Sequence, residues 1–484
     1  MIGLVERLFM RFASKKDRPP IEAPLLIDLL QPSEGEIVES YPNGLFRCDI
    51  RKMGGVHYYD AVPVVGEEDR RRLRRAVSRI SDELPPEQVM PLTFTRLTEV
   101  LGQMAAAELS AIRDMGVVKE LSRLASFEAV GLPTIYAISR DKYVSEFYLD
   151  APSSPIYLDH SKYGRVDTRI FLSDRERKAL ETHMDTFKGY TLDYSTPSLK
   201  NEFDVFGTTL RVSLDLSPLA VSGFSMDVRK LTSKALSLED LVGTDVLSCE
   251  AAAFLLTCLE VGLNVTIVGE TGTGKTTLLN ALDEALEPRL RRIYIEDAVE
   301  TKELLERGYH QMKLKVDPFE RGEDALRTKS AEIIKILHRS PDIVILGEIQ
   351  SEEHSRAFFQ ALAAGVRGLQ TFHASSPQQA VRRWLELHGI SKENLLDLGV
   401  LVQMARPDRL GPRRIVQSIS LVADEDGEPR VKETYARATG GALHRVTPWD
   451  KMQMRSSGAT LQEFLERLES RMVGLSEDPR AESA

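Results

Sequence analysis

The sequence predicts an α/β fold in which a domain with a parallel-rich sheet follows a smaller α+β domain. Over residues 242–424, short apolar runs alternate with helical patterns, which is typical of a parallel sheet covered on both faces. A glycine-rich loop, Gly269 to Thr276, lies between one such run and a helical stretch. A polar stretch over 231–241 separates the two patterns and predicts a linker between the domains.

Length and composition limit the classes of protein that the chain can belong to. Its 484 residues indicate two or three domains, and its formal net charge of -10 does not favour a nucleic-acid partner. The three cysteines, Cys48, Cys249 and Cys258, form no CxxC pair, so the sequence predicts neither a four-cysteine zinc site nor a disulfide framework. No apolar run is long enough to cross a bilayer, so we expect a cytoplasmic chain with at most peripheral membrane contact.

Residues 1–90 are predicted to form an N-terminal α+β extension. Apolar residues recur at helical spacing over residues 2–12. We expect this segment either to contact a membrane surface or a partner, or to pack on its own domain. Short strands over 33–66 precede a helix over 67–84. Arginines on the other faces of that helix indicate a solvated surface rather than a nucleic-acid contact. Its apolar stripe is formed by Leu73, Val77, Ile80 and Leu84.

The next regions are predicted from the same patterns. Residues 91–230 form an α+β domain, in which a long helix over 92–125 leads into alternating strands such as SPIYLDH and TTLRVSLDL. Residues 425–484 form a C-terminal extension with one amphipathic helix and a polar tail. In the central domain the predicted strands cover 264–268, 292–296, 342–346 and 369–373.

The glycine-rich loop GETGTGKT has the features of a phosphate-binding loop. Gly269, Gly272 and Gly274 permit backbone torsions closed to other residues, so that successive N–H groups form an anion nest. Lys275 is expected to reach the β- and γ-phosphates, and the Thr276 hydroxyl to coordinate Mg²⁺. No NKxD sequence is present, which favours ATP over GTP. The predicted nucleotide-binding residues of the loop are Gly269, Glu270, Thr271, Gly272, Thr273, Gly274, Lys275, Thr276 and Thr277.

Acidic residues and a histidine lie at the ends of the other predicted strands. Glu296, Asp297 and Glu300 follow the run RIYIE, and Glu348 follows DIVIL. His373 ends the run LQTFH. Ligands of open α/β sheets bind at the carboxyl ends of the strands, and hydrolysis requires a carboxylate that orients water there. Asp297 is more typical of a helix cap or a solvated loop than of a catalytic acid.

Four blocks in this order resemble the secretion ATPase superfamily, which includes type II secretion, type IV pilus, archaellum and type IV secretion motors. The blocks are the Walker A loop GETGTGKTT, the Asp box IYIEDAVE, the Walker B block HRSPDIVILGEI and the His box GLQTFHASS. The resemblance covers about residues 130–424 and is closest to archaeal members, since SEFYLDAPSSPIYLDHSKYG is similar to their N-terminal domain. It implies a RecA-like domain over 242–424.

The resemblance also implies roles for single residues. Glu300 would be the catalytic glutamate, with Glu296 the runner-up, and Glu348 would act on Mg²⁺ and water. His373 would sense the nucleotide, and Arg211 and Arg229 of the N-terminal domain would reach the phosphates in their own or a neighbouring subunit. Two positions depart from the pattern of the family, which usually has arginine where Gln350 and His338 stand here.

The resemblance implies a hexameric motor that uses ATP and Mg²⁺. Domain motion about the linker 231–241 would act on a polytopic membrane platform protein and, indirectly, on pilin-like filament subunits. Two alternatives remain open on the sequence. One is a nucleic-acid motor such as a helicase or DNA-transfer ATPase, and the other is an ATP-binding regulatory subunit with weak hydrolysis, because Gln350 and His338 depart from the pattern.

Overall fold

The computed structural model describes residues 24–83, 93–188, 192, 194–231, 236–316, 328–438, 440–448 and 460–476. The chain divides into two compact units. The first comprises residues 1–233 with 410–412, and the second comprises 234–409 with 413–484. The division falls inside the predicted linker 231–241. The predicted amphipathic helix over 2–12 and the end of the polar tail lie outside the described residues.

The first unit is built on a mixed sheet of nine strands in the order β1-β2-β3-β6-β5-β4-β9-β8-β7. Its strands are β1 (Glu36–Asn43), β2 (Phe46–Met53), β3 (Val56–Pro63), β4 (Val144–Leu149), β5 (Tyr157–His160), β6 (Gly164–Thr168), β7 (Ser198–Val205), β8 (Thr208–Leu216) and β9 (Phe224–Lys230). Its helices are α1 (Leu26–Leu29), α2 (Glu67–Glu83), α3 (Phe94–Glu108), α4 (Met115–Val130), α5 (Pro133–Ser139) and α6 (Asp174–Lys188). The apolar stripe of α2 is buried as expected at Leu73, Val77 and Ile80.

The arrangement of the first unit differs from the sequence prediction at two places. Strand β3 pairs in parallel with β6, Tyr58 opposite Asp167, so residues 1–90 and 91–230 contribute to one sheet rather than to two domains. The long helix predicted over 92–125 is two helices, because the Asp114 side chain accepts hydrogen bonds from Gly116 N and Val117 N and begins α4 there.

The second unit also contains a sheet of nine strands, in the order β12-β11-β13-β14-β10-β15-β16-β17-β18. The first six run parallel and the last three are added antiparallel. The strands are β10 (Val265–Val268), β11 (Arg292–Glu296), β12 (Gln311–Lys315), β13 (Ile343–Ile349), β14 (Gly368–Phe372), β15 (Val400–Ala405), β16 (Ile415–Glu425), β17 (Glu428–Arg437) and β18 (Leu443–Arg445). The helices are α7 (Leu238–Gly243), α8 (Cys249–Glu260), α9 (Lys275–Ala285), α10 (Lys329–Lys335), α11 (Glu352–Ala363), α12 (Pro377–Glu386), α13 (Lys392–Leu395) and α14 (Leu461–Ser476). Short 3₁₀ turns cover Leu305–Arg307, Ile336–His338 and Leu396–Leu398.

This architecture confirms the predicted α/β class with a parallel-rich sheet. The four predicted strands are β10, β11, β13 and β14, and they lie next to one another in the order β11-β13-β14-β10. The loops that carry the four blocks therefore follow neighbouring strands at the same edge of the sheet.

The segment predicted as a C-terminal extension, 425–484, is part of the second unit. Strand β17 pairs with β16 along most of its length. Phe464 and Leu468 of α14 are buried in the same apolar cluster as Phe254 of α8, with the Phe254 and Phe464 rings 5.8 Å apart. Among the residues that the structure describes, no helix has both the length and the apolar character needed to cross a membrane.

Candidate nucleotide-binding site

The glycine-rich loop connects β10 to α9, which begins at Lys275. Gly272 and Gly274 have φ values of 74° and 90°, the left-handed region that favours glycine. Gly269 is required for a different reason than the predicted one. A Cβ at Gly269 would lie 2.6 Å from Thr273 Oγ1 and 2.7 Å from the carbonyl oxygen of Met404, so the position needs space rather than an unusual torsion.

Hydrogen bonds from inside and outside the loop fix its shape. Thr273 Oγ1 donates to the Glu270 carbonyl at 2.8 Å. Arg414 Nε donates to the Gly272 carbonyl at 3.1 Å from 142 residues along the chain, a contact that no local sequence pattern indicates. Glu270 and Thr271 are exposed, whereas Thr276 and Thr277 are half-buried in the first turn of α9.

Lys275, His373 and Glu348 lie together beside this loop. Lys275 is 7% exposed, and its Nζ donates to the carbonyls of Gly269 and Glu270 at 3.0 and 2.9 Å. Its Nζ also lies 3.3 Å from His373 Nδ1. Because an ammonium group only donates, Nδ1 accepts here, which assigns the imidazole proton to Nε2. His373 Nε2 in turn contacts Glu348 Oε1, so the imidazole bridges the Walker A lysine and the Walker B acid.

Glu348 is held through both of its carboxylate oxygens. The Gln350 amide donates to Oε2, opposite the His373 contact on Oε1. Burial by itself raises the pKa of Glu348, but the hydrogen bond from His373, the Gln350 amide and the charge of Lys275 outweigh it and lower the pKa to about 2. Glu348 is therefore a carboxylate at neutral pH. The sequence predicted Glu348 just beyond a strand end, but the residue lies within β13.

The structure gives Glu296 and Glu300 different surroundings. Glu296 is 1% exposed, and its oxygens accept from Glu300 N at 3.0 Å, Thr301 N at 3.1 Å and Thr301 Oγ1 at 2.6 Å. Burial raises the pKa of Glu296, and these hydrogen bonds partly offset that effect. Glu300 is half-buried, and Asn280 Nδ2 of α9 donates to its carbonyl at 3.0 Å. This bond holds the Asp-box loop against the P-loop helix.

Asp297 has a partner that the sequence did not reveal. Lys329 Nζ at the start of α10 donates to Asp297 Oδ1 at 3.0 Å and to the Glu348 carbonyl at 2.8 Å. No motif marks Lys329, and the nearby arginines Arg339 and Arg356 do not take its place. Those two arginines pair with Glu332 and Glu352, at 2.8 and 2.5 Å, rather than with the site acids.

Arg211 and Arg229 belong to the first unit. They face each other on the neighbouring strands β8 and β9. Arg229 Nε lies 3.0 Å from Glu146 Oε1, and Arg211 Nε lies 3.9 Å from Glu202 Oε1. The structure thus places the two predicted phosphate-binding arginines side by side on one sheet surface.

The loop and its neighbours fit a magnesium–nucleotide complex. The close approach at Gly269, the left-handed glycines and the N-terminus of α9 form an anion cradle with Lys275 beside it. The Thr276 hydroxyl and the Glu348 carboxylate supply the oxygen ligands that Mg²⁺ prefers. Within the described residues no group of three or more His, Cys, Asp or Glu side chains is arranged to hold a metal.

The parallel sheet and the strand–loop–helix unit are typical of nucleotide-binding proteins of the α/β class. Residues 202–423 match the sequence profile of the family described as Type II/IV secretion system protein. This match covers the region that carries the four blocks and confirms the resemblance of the chain to type II/IV secretion ATPases.

Individual relatives match over parts of the chain. The uncharacterized protein MJ0900 of Methanocaldococcus jannaschii is 30% identical over 259 residues, 53% of this chain and 45% of that protein. The type IV secretion system protein PtlH of Bordetella pertussis is 32% identical over 131 residues, 27% of this chain and 38% of that protein. The chain thus spans less than half the length of either relative. The X-ray structure of the Legionella pneumophila ATPase DotB aligns with 16% identity and a TM-score of 0.43, covering 60% of this chain and 80% of that one.

Proposed function

We propose that the chain is a Mg²⁺-dependent ATPase that works as a hexameric motor and powers a type IV pilus-like filament or a secretion machine. The observation that carries the proposal is the meeting of Lys275, His373 and Glu348 beside the P-loop, within the stretch that matches the secretion family. The type IV secretion name of PtlH supports a membrane-associated machine as the setting.

The geometry supports distinct roles for the site acids. Glu348 is ionised at neutral pH and acts on Mg²⁺ and on water. Glu300 is the better candidate for the water-activating carboxylate, because the two oxygens of Glu296 are already bound to the loop that it organises. Mg²⁺ held by Thr276, Glu348 and phosphate oxygens would neutralise charge that develops on the transferred phosphoryl group.

The finer parts of the proposal concern assembly. Arg211 and Arg229 supply guanidinium groups to phosphates in their own or a neighbouring subunit, as the resemblance implies. The ring acts at the cytoplasmic face of a membrane on a polytopic platform protein and, indirectly, on pilin-like filament subunits. Mass photometry of the full chain with and without Mg-ATP tests the ring. A monomer at all concentrations would contradict it.

The arginines of α2, which could suit a nucleic-acid partner, are mostly paired with acidic side chains. Five of the six arginines of α2 lie in ion pairs with acidic side chains of the same unit, so the helix presents little unbalanced positive charge. The pairs are Arg70 with Asp28, Arg71 with Glu67, Arg72 with Glu68, Arg74 with Asp28, and Arg79 with Glu108.

Turnover by the purified full chain tests the enzymatic part. We expect Mg²⁺-dependent phosphate release that Lys275→Ala and Glu348→Ala each reduce by at least about 100-fold. Glu386→Ala is the matched control, because Glu386 is an exposed acid that pairs with Arg382 on α12. Wild-type turnover no higher than that of Lys275→Ala would refute an ATPase. Tight ATP binding without turnover in the assembled ring would favour the regulatory alternative.

A further inference from the structure

A buried lysine joins the two acidic blocks of the site. Lys329 is 1% exposed at the N-terminus of α10. Burying an ammonium group costs several kcal/mol unless partners compensate for the lost water. Its Nζ finds two such partners, Asp297 Oδ1 at 3.0 Å and the Glu348 carbonyl at 2.8 Å. Asp297 follows β11 and Glu348 lies in β13, so one side chain connects the Asp box to the Walker B strand.

The Glu348 contact falls where the strand ladder is irregular. Strand β13 pairs regularly with β14 up to Leu346, and the register then shifts before Ile349. Across this irregular stretch, side chains bond to the backbone carbonyls: Thr371 Oγ1 donates to Gly347 O at 2.5 Å and Lys329 Nζ donates to Glu348 O. Lys329 therefore helps to fix the backbone from which the Glu348 carboxylate projects.

Among the described residues, the two arginines nearest in sequence to His338 and Gln350 are engaged by other acids. The position two residues after Glu348 holds the neutral Gln350. Arg339 and Arg356 are engaged by Glu332 and Glu352. Lys329 is thus the buried cation that the structure places against both acidic blocks.

We propose that Lys329 is a positioning residue for ATP hydrolysis, which ties the Asp297 loop to the Glu348 backbone and so orients the Glu348 carboxylate. The proposal rests on the proposed ATPase function. It predicts that Lys329 acts on the chemical step rather than on nucleotide binding, since Lys275 and the P-loop are held by other contacts.

A double-mutant cycle on the full chain tests this proposal. The variants are Lys329→Met, Asp297→Asn and the two combined, with kcat and KM for Mg-ATP and the melting temperature measured for each. Lys335→Met is the matched control on the same helix, because Lys335 pairs with Glu332 at 2.8 Å near the surface. We expect Lys329→Met to lower kcat at least about tenfold and to change KM by less than about threefold, while the control stays near wild type.

The combined variant separates positioning from a purely structural role. It removes both charges of the buried pair, so its stability should recover relative to Asp297→Asn, which leaves the lysine buried without that partner. If Lys329 positions Glu348, kcat stays as low as in Lys329→Met although the melting temperature recovers. If kcat recovers together with stability, or if Lys329→Met keeps wild-type kcat, the inference is wrong. Wild-type turnover at the level of Lys275→Ala would instead overturn the proposed function, and the inference with it.

Discussion

Replacement of Gly269 by alanine tests the close packing of the phosphate-binding loop. The added Cβ would lie 2.6 Å from Thr273 Oγ1 and 2.7 Å from the Met404 carbonyl oxygen, whereas Cβ atoms essentially never approach other heavy atoms within 3.0 Å. Each neighbour would have to move by at least about 0.3 Å. The Met404 oxygen is backbone in β15, a strand paired on both sides, so the loop is the part that yields.

The free-energy cost of Gly269→Ala can be estimated from the general effect of adding atoms to a well-packed site. Added atoms of this kind cost about 1–3 kcal/mol. If the loop relieves the strain by shifting its N–H groups away from their anion-binding arrangement, the same free energy is lost from nucleotide binding. That corresponds to a roughly 5- to 150-fold weaker Kd.

Binding of a fluorescent ATP analogue to the full chain measures this loss directly. Gly243→Ala is the control, because a Cβ at the end of α7 meets nothing within 4 Å. We expect the control to bind as wild type does and to be at least as stable. Wild-type affinity in Gly269→Ala, together with an unchanged melting temperature, would refute the steric reasoning.

Two further predictions concern buried charges. Arg292→Met leaves Asp283 without its 2.9 Å ion pair in a site where both side chains are at most 1% exposed. We therefore expect the free energy of unfolding to fall by about 3–5 kcal/mol. Urea unfolding measures it, and the exposed Arg289→Met should change stability by less than about 0.5 kcal/mol. Burial raises the pKa of Glu128 from 4.5 to about 7, so the folded state binds more protons between those values and stability falls as the pH rises through them. Glu128→Gln keeps the side-chain oxygen that accepts from Leu26 N. Its free energy of unfolding relative to wild type should rise by roughly 2.5 kcal/mol between pH 5 and pH 8. An equal difference between variant and wild type at both pH values would contradict this.

The central domain was predictable because its signals are local. Each buried parallel strand is a short apolar run, and the phosphate loop follows the first of them in a fixed pattern of residues. The order of residues in the loop puts Lys275 at the start of α9. The close approach of Met404 to Gly269 was not predictable, because it depends on a strand more than a hundred residues further along the chain.

The first unit was harder to predict because its sheet is assembled from distant segments. The parallel pairing of Tyr58 with Asp167 joins two regions between which the structure describes four helices, and no local pattern encodes that pairing. The break in the long helix did have a local signal. Asp114 is a strong N-cap residue, but the apolar periodicity on both sides of it obscured the boundary.

The neutral Gln350 does not deprive Glu348 of its charge. His373 contributes more than Gln350 to keeping the Glu348 pKa low, and Lys275 adds its charge from the loop. A guanidinium at position 350 is therefore unnecessary for ionising the Walker B acid within one subunit. What arginine offers beyond the Gln350 amide is a permanent charge on a longer, forked side chain. The departure from the family pattern thus bears on contacts that reach past Glu348, such as those between subunits of a ring, rather than on the protonation state of the acid.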